Sequence, residues 1–195
     1  MVFSWFSSTS DTEPKPETER GGYECAPYTI LESQAEYQVR SYPERKWATV
    51  VFEKVGDRMG NNDLGGIINT DQPQNKSFMK LFRYISGANE PGSKISMTVP
   101  VSTRVTNTIT DQGNVIKEEM GFYVPTEHQD SVPSPKAETD VNIVTRPDMV
   151  AFVRTFGGYA KDQDWIQQRD MLINDLKSRE DFDEIDTKTY FRFGS

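Results

Sequence analysis

Apolar positions along the chain fall into short alternating runs, broken twice by stretches of helical period. Residues 37–42 and 47–53 are β-branched and aromatic and flank Pro43-Glu44-Arg45-Lys46, which reads as a hairpin. Phe78, Leu81, Phe82 and Ile85 then fall at i, i+3, i+4 and i+7, one stripe of a helix that Gly87 closes. Strands are predicted at 95–105 and 115–124. Pro100 cannot donate a ladder bond and so marks an edge or a bulge.

The second half repeats this order. Residues 141–146 and 149–156 read as a hairpin around Pro147-Asp148, and a helix follows over 162–178. Its apolar face is Trp165, Ile166, Leu172, Ile173 and Leu176, with acids in the first turn and Lys177 near the end. A strand over 187–193 closes the pattern. The halves read as ββαββ and ββαβ, the second without its last strand because the sequence stops at Ser195. The repeat is one of topology, without residue-level similarity. Strand runs broken by two helices indicate an α+β fold rather than alternating βαβ units.

Residues 7–22 are Ser, Thr, Pro, Glu and Gly with almost nothing apolar. Such a segment cannot offset its ordering entropy, so 1–22 is read as a disordered tail and 23–195 as a single domain. Residues 56–76, rich in Gly, Asn and Asp, are read as a long loop with an irregular turn at 64–68, and 125–139, with three prolines, as a surface loop.

Composition narrows the function. A net charge of −8 argues against a nucleic-acid partner, because phosphate binding needs clustered Lys and Arg. Cys25 is the only cysteine, which excludes an internal disulfide and a thiolate metal site and suits a reducing compartment, so a cytoplasmic location is expected. The apolar start, residues 1–6, is too short for a membrane span and lacks a basic leader. His128, in a polar loop, is the only histidine. Any Ser-His-Asp or Cys-His device would have to use it, and no G-x-S-x-G, HExxH or P-loop is present. The adjacent acids Glu118/Glu119 and the pair Asp181/Asp183 read as solvated charge. The protein is expected not to be an enzyme, with a carboxylate-dependent hydrolase as one alternative.

Five segments in register carry a family resemblance. Lys94-Ile95-Ser96-Met97-Thr98-Val99-Pro100-Val101 resembles the K-I-x-M-T-x-P-V strand of the SOUL haem-binding family. Phe82-Arg83-Tyr84-Ile85-Ser86-Gly87-Ala88-Asn89-Glu90 resembles the helix end and loop before it. Tyr37-Gln38-Val39-Arg40-Ser41-Tyr42, Phe122-Tyr123-Val124-Pro125 and Val153-Arg154-Thr155-Phe156-Gly157-Gly158-Tyr159-Ala160 match further segments. The resemblance covers residues 23–194.

It implies a distorted antiparallel β-barrel of two pseudo-repeats flanked by two α-helices, binding haem or another tetrapyrrole. In one branch of the family a histidine is the proposed iron ligand, and Ser41 stands in its place here. In the other, haem lies against an apolar face of the first helix. Its contacts carry over to Phe78, Phe82 and Arg83, the last to meet a propionate; that branch's final N-E-V-W-type strand has no counterpart here. The resemblance thus implies a monomeric cytosolic haem carrier or buffer without histidine coordination or a metal site of its own. Met79 and Met97 are the soft-ligand candidates. A second alternative is a module that binds a protein partner through the second helix, where Leu172, Leu176 and Asp181 resemble a death-domain-binding pattern found in one SOUL branch. Glu180 stands where that pattern wants a small residue.

Overall fold

The computed structural model describes residues 2–5, 18–55, 73–110 and 113–194. The expected turn at 64–68 lies outside them. Twelve strands and two α-helices occur among these residues. The early strands are β1 (Val2–Trp5), β2 (Glu19–Arg20), β3 (Tyr23–Cys25) and β4 (Thr29–Ser33). The first half follows as β5 (Gln38–Tyr42), β6 (Arg45–Val55), α1 (Pro73–Ile85), β7 (Thr98–Val99), β8 (Val101–Thr110) and β9 (Gly113–Tyr123). The second is β10 (Asn142–Arg146), β11 (Met149–Phe156), α2 (Asp162–Leu176) and β12 (Thr189–Gly194). Within the span read as a tail, then, β1 and β2 are strands, and residues 6–17 lie outside the described residues.

Nine strands form one sheet in the order β10-β6-β9-β8-β12-β1-β11-β5-β4, and β2-β3-β7 form a second. The two expected hairpins are not hairpins. β5 pairs antiparallel with β11, and β6 with β10, so each half lends its partner a strand. The connectors explain this. A two-residue hairpin needs positive φ in its turn, and neither Pro43-Glu44 nor Pro147-Asp148 supplies it. Each makes a corner instead.

The corners also fix the shape of the sheet. β6 stands second and β5 eighth in the strand order, six spacings or roughly 29 Å apart if the sheet were flat. The link from Tyr42 to Arg45 spans at most about 11 Å. The sheet is therefore curled, although no strand pairing among the described residues closes it into a ring.

Pro100 divides the expected 95–105 strand. Before it, β7 joins the small sheet beside β3; after the cis Val99–Pro100 bond, β8 enters the large one. Helix α1 begins at Pro73, inside the segment read as loop, because proline's missing N–H costs nothing in the first turn.

Both helices lie on one face of the sheet. There Ala48, Val50, Met120 and Phe122 pack on Leu81, Tyr84 and Ile85 of α1, while Val105 and Tyr190 pack on Leu172 and Leu176 of α2. Strand alternation sends the neighbouring side chains to the other face, where Tyr42, Ala151, Val153, Phe191 and Phe193 cluster.

Adjacent acids on β9 show the same alternation. Glu118 pairs with Arg192 at 2.8 Å and Glu119 with Arg146 at 2.9 Å, on opposite faces. The expectation of solvated charge is corrected here: Glu118 is buried beneath the helices and Glu119 is largely covered, each against its own arginine. Gly121 makes room for this arrangement: a Cβ on it would stand 2.8 Å from Arg146 Nη2.

Candidate functional site

Helix α1 is fixed at both ends. Pro73 starts it, and Gly87, at φ 110°, turns the chain where a Cβ would be strained. Beyond the turn Asn89 is fully buried. Its amide donates to Tyr84 O at 3.0 Å and Ser93 O at 2.7 Å, and its carbonyl accepts from Ser93 N at 3.0 Å. The Tyr84 hydroxyl donates to Pro133 O at 2.6 Å, and burial pushes its pKa up to about 12.

The apolar stripe expected on α1 splits in two. Leu81 and Ile85 are core, together with Ser77 and Tyr84. Phe78 is half-buried, edge-on to Phe122 at 5.3 Å. Phe82 is 43% exposed, and its ring lies nearly parallel to that of Phe78, at 11° and 6.2 Å. Met79, three residues before Phe82 and 45% exposed, extends this apolar rim. Sequence periodicity alone did not separate rim from core, because a flank residue keeps the helical spacing of the stripe while lying outside the contact. Arg83 is exposed, about 100° round the helix from Phe82, and forms no ion pair with a described residue.

The other flank of α1, about 160° from Phe82, is polar. Lys80 pairs there with Asp140. An open groove of about 530 Å³ runs beside it between Lys46, Lys136, Ser134, Thr139, Val141 and Ile143. Sequence spacing gives no sign of it, since its walls come from Lys46 of β6, from β10 and from the irregular loop before β10.

The remaining candidates lie apart from the rim. His128 sits in a 3₁₀ turn, Thr126–His128, with Nε2 3.5 Å from Glu127 Oε1. That turn is anchored to Glu24 and, through Gln129, to Lys46, not to α1. Ser41 is on β5, paired with Val150 and Thr29. Met97 is partly buried against the α1 core, whereas Met79 is open. Cys25 is buried. Among the described residues no three of His, Cys, Asp and Glu stand together as a metal site, and no helix is long and apolar enough to cross a membrane.

Of the candidate acids, Glu118, Glu119 and Asp181 are each paired with an arginine. The guanidinium of Arg179 hydrogen-bonds Asp181 and holds its carboxyl below the usual range. Leu172 and Leu176 are fully buried, while Trp165, Ile166 and Ile173 of the expected α2 face are half-buried. On α1 the geometry leaves Phe82 and Met79 exposed side by side, with the cation of Arg83 next to them.

Comparison with known proteins agrees on one family. A family model described as SOUL heme-binding protein matches residues 23–194. The chain is 31% identical to Heme-binding protein 2 of Mus musculus over 87% of its own length and 74% of that protein's. It is 33% identical to Heme-binding protein 2 of Homo sapiens, over 81% and 69% of the two chains. Heme-binding protein 1 of Mus musculus is 29% identical, over 80% and 77%.

Proposed function

Because the chain belongs to the SOUL heme-binding protein family, we propose that it binds haem or a related tetrapyrrole on the exposed rim of α1, as a cytosolic carrier or buffer and not as an enzyme. The observation that carries this reading is the Phe82 ring, held parallel to Phe78 yet 43% exposed beside an open Met79. Parallel aromatic rings with one free face suit a flat conjugated ligand. Arg83 supplies the cation for a propionate.

The residues fit a porphyrin through its ring and its acids. Burial supplies about 25 cal/mol per Å² of apolar area, so a contact of a few hundred Å² supports roughly micromolar affinity after association costs. Iron, when present, brings its own redox and ligand chemistry. This chain's part is to exclude water from the ring face and meet the propionate charge.

The same reading takes the curled sheet as a distorted barrel, supported by the two proline corners, which join β5 to β6 and β10 to β11 and so bring the two ends of the strand order toward each other. The partner-binding alternative has the burial of Leu172 and Leu176 against it, and the hydrolase alternative has the ion pairs of Glu118, Glu119 and Asp181.

The test is an absorbance titration with haem and, in parallel, a fluorescence titration with metal-free protoporphyrin. Both ligands are expected to bind with similar affinity. Binding of haem alone would overturn the ring-burial reading, and binding of neither would overturn the function.

A further inference from the structure

The two halves fill equivalent positions differently. In the first, β9 lies between β6 and β8, antiparallel to both, with nine register pairs to each. β6 and β8 are thus parallel to each other and leave a slot one strand wide. Their counterparts in the second half, the strand after the corner and the strand after the helix, are β11 and β12. The strand between these is β1, which runs parallel to both.

β1 is short for its slot. It makes four register pairs with β11, Val153 to Phe156, and three with β12, Phe191 to Phe193. Met149–Phe152 have β5 on one side and, among the described residues, no strand on the other. Nor does a tight turn join β1 to either neighbour: twelve residues, 6–17, connect it to the chain that leads into β2. Backbone pairing holds it from both sides, and covalent continuity does not.

We propose that the slot between β11 and β12 is a strand-binding site whose ligand is the segment Val2–Trp5, so that two copies of the chain exchange this strand. An extended segment inserted between two open ladders satisfies both at once, which is β-augmentation with two acceptor edges. The same segment from a second copy makes the same pairs, and reciprocal exchange gives a closed two-fold dimer. The monomer expected from the sequence is then in equilibrium with an exchanged dimer.

The experiment uses a chain lacking residues 1–5 and a labelled peptide of residues 1–10. Occupancy within one chain requires a Kd below roughly 1 mM, the effective concentration a short tether supplies. The peptide is expected to bind the shortened chain in that range. A peptide carrying Ser4→Pro, which removes a ladder donor, is expected to bind at least tenfold more weakly. A folded shortened chain that ignores the peptide overturns the site, as does equal binding of the proline peptide. If the shortened chain is unfolded, millimolar peptide must restore its near-ultraviolet circular dichroism, and failure to do so overturns the site equally. Sedimentation of the intact protein up to about 1 mM should show a dimer fraction that full-length Ser4→Pro lacks. A strictly monomeric parent, or a dimer that persists in Ser4→Pro, overturns the exchange.

Discussion

Helices α1 and α2 occupy equivalent places, each between the second and third strands of its half, and complete their packing by different means. α2 buries Leu172 and Leu176 and is tied down by charge. Asp162 reaches Arg192 at 3.4 Å, Asp175 meets Arg154 at 2.6 Å, and Arg179, just past the helix, meets Glu32 at 3.2 Å. α1 has Lys80–Asp140 and the Tyr84 hydroxyl on one flank and leaves Phe82 and Met79 open on the other. The difference teaches where a ligand can go. α2, tied along its length, leaves Met171 as its one exposed large apolar side chain, whereas α1 carries Phe82 and Met79 together on one open flank.

The largest expected effect tests what holds α2 and β12 in place. Glu118 is 4% exposed and accepts from Arg192 of β12 at 2.8 Å and from Gln74 of α1 at 3.4 Å, so one carboxylate ties both to β9, and Arg192 in turn reaches Asp162 of α2. Glu118→Gln leaves the buried Arg192 guanidinium with only the distant Asp162 and should cost about 3–5 kcal/mol in denaturant unfolding. Asp162→Asn, at an exposed carboxylate, should cost under ~1 kcal/mol. Similar losses in the two variants would show that surface charge, not the buried pair, fastens the helix.

Next comes the contrast between core and rim. Leu172→Ala removes a fully buried side chain and should cost about 2–5 kcal/mol. Phe82→Ala, at a ring 43% exposed, should cost under ~1.5 kcal/mol. A loss at Phe82 equal to that at Leu172 would make the rim part of the core and erase the difference between the helices.

This contrast marks what could be read from the sequence. The 3.6-residue period placed α1 and α2 well, and Leu172 and Leu176 proved as buried as their spacing implied. Strands from β5 onward were legible from alternation in the same way, whereas the short β1 to β4 carry too few residues for the pattern to show and were not expected. Pairing was not, because it is non-local: nothing near Pro43-Glu44 says that β5 will meet β11. Glu118 and Glu119 looked solvated for a related reason. Their burial depends on arginines 27 and 74 residues away, Arg146 and Arg192. On α1 the stripe was visible, but its division into core Leu81 and open Phe82 depends on how far the sheet edge extends beneath it. Arg83 was found beside the rim, though only the family resemblance had given it a role.

For the ligand, Phe82→Ala should weaken haem by about 1–2 kcal/mol, roughly five- to thirtyfold, while the variant stays folded. Arg83→Ala should weaken haem more than its diester, whose neutral side chains have no charge to pair. Unchanged affinity in folded Phe82→Ala would move the site off this helix.

The flank opposite the rim gives a smaller effect with a pH signature. Tyr84→Phe loses one hydrogen bond, to Pro133, and should cost about 1 kcal/mol at neutral pH. Burial raises the folded-state pKa to about 12 from the ordinary tyrosine value of 10.0, so the neutral phenol is favoured by folding. That stability is fully present below pH 10 and is lost as pH rises toward 12. Tyr84→Phe should therefore show a shallower alkaline decline than the parent, the remainder belonging to groups such as Tyr42, whose pKa burial also raises to about 12. Parallel alkaline curves would show that the Tyr84 hydroxyl ionises as it would in water.

The smallest effect concerns the only histidine. His128→Ala should leave haem affinity within about twofold, roughly 0.4 kcal/mol. Imidazole is the common protein ligand for haem iron, so a lone histidine invites that role. Its place in the fold argues otherwise. The 3₁₀ turn that carries it is fastened to Glu24 and Lys46, and the imidazole faces Glu127, whereas Phe82, Met79 and Arg83 stand on a helix with no described hydrogen bond to that turn. Binding held by ring burial should tolerate the loss of any side chain outside the rim. The measurement is the Soret band of the haem-loaded variant. If it collapses to the spectrum of free haem while protoporphyrin still binds, iron coordination by His128 holds the ligand, and the contrast between the two helices does not decide where it sits.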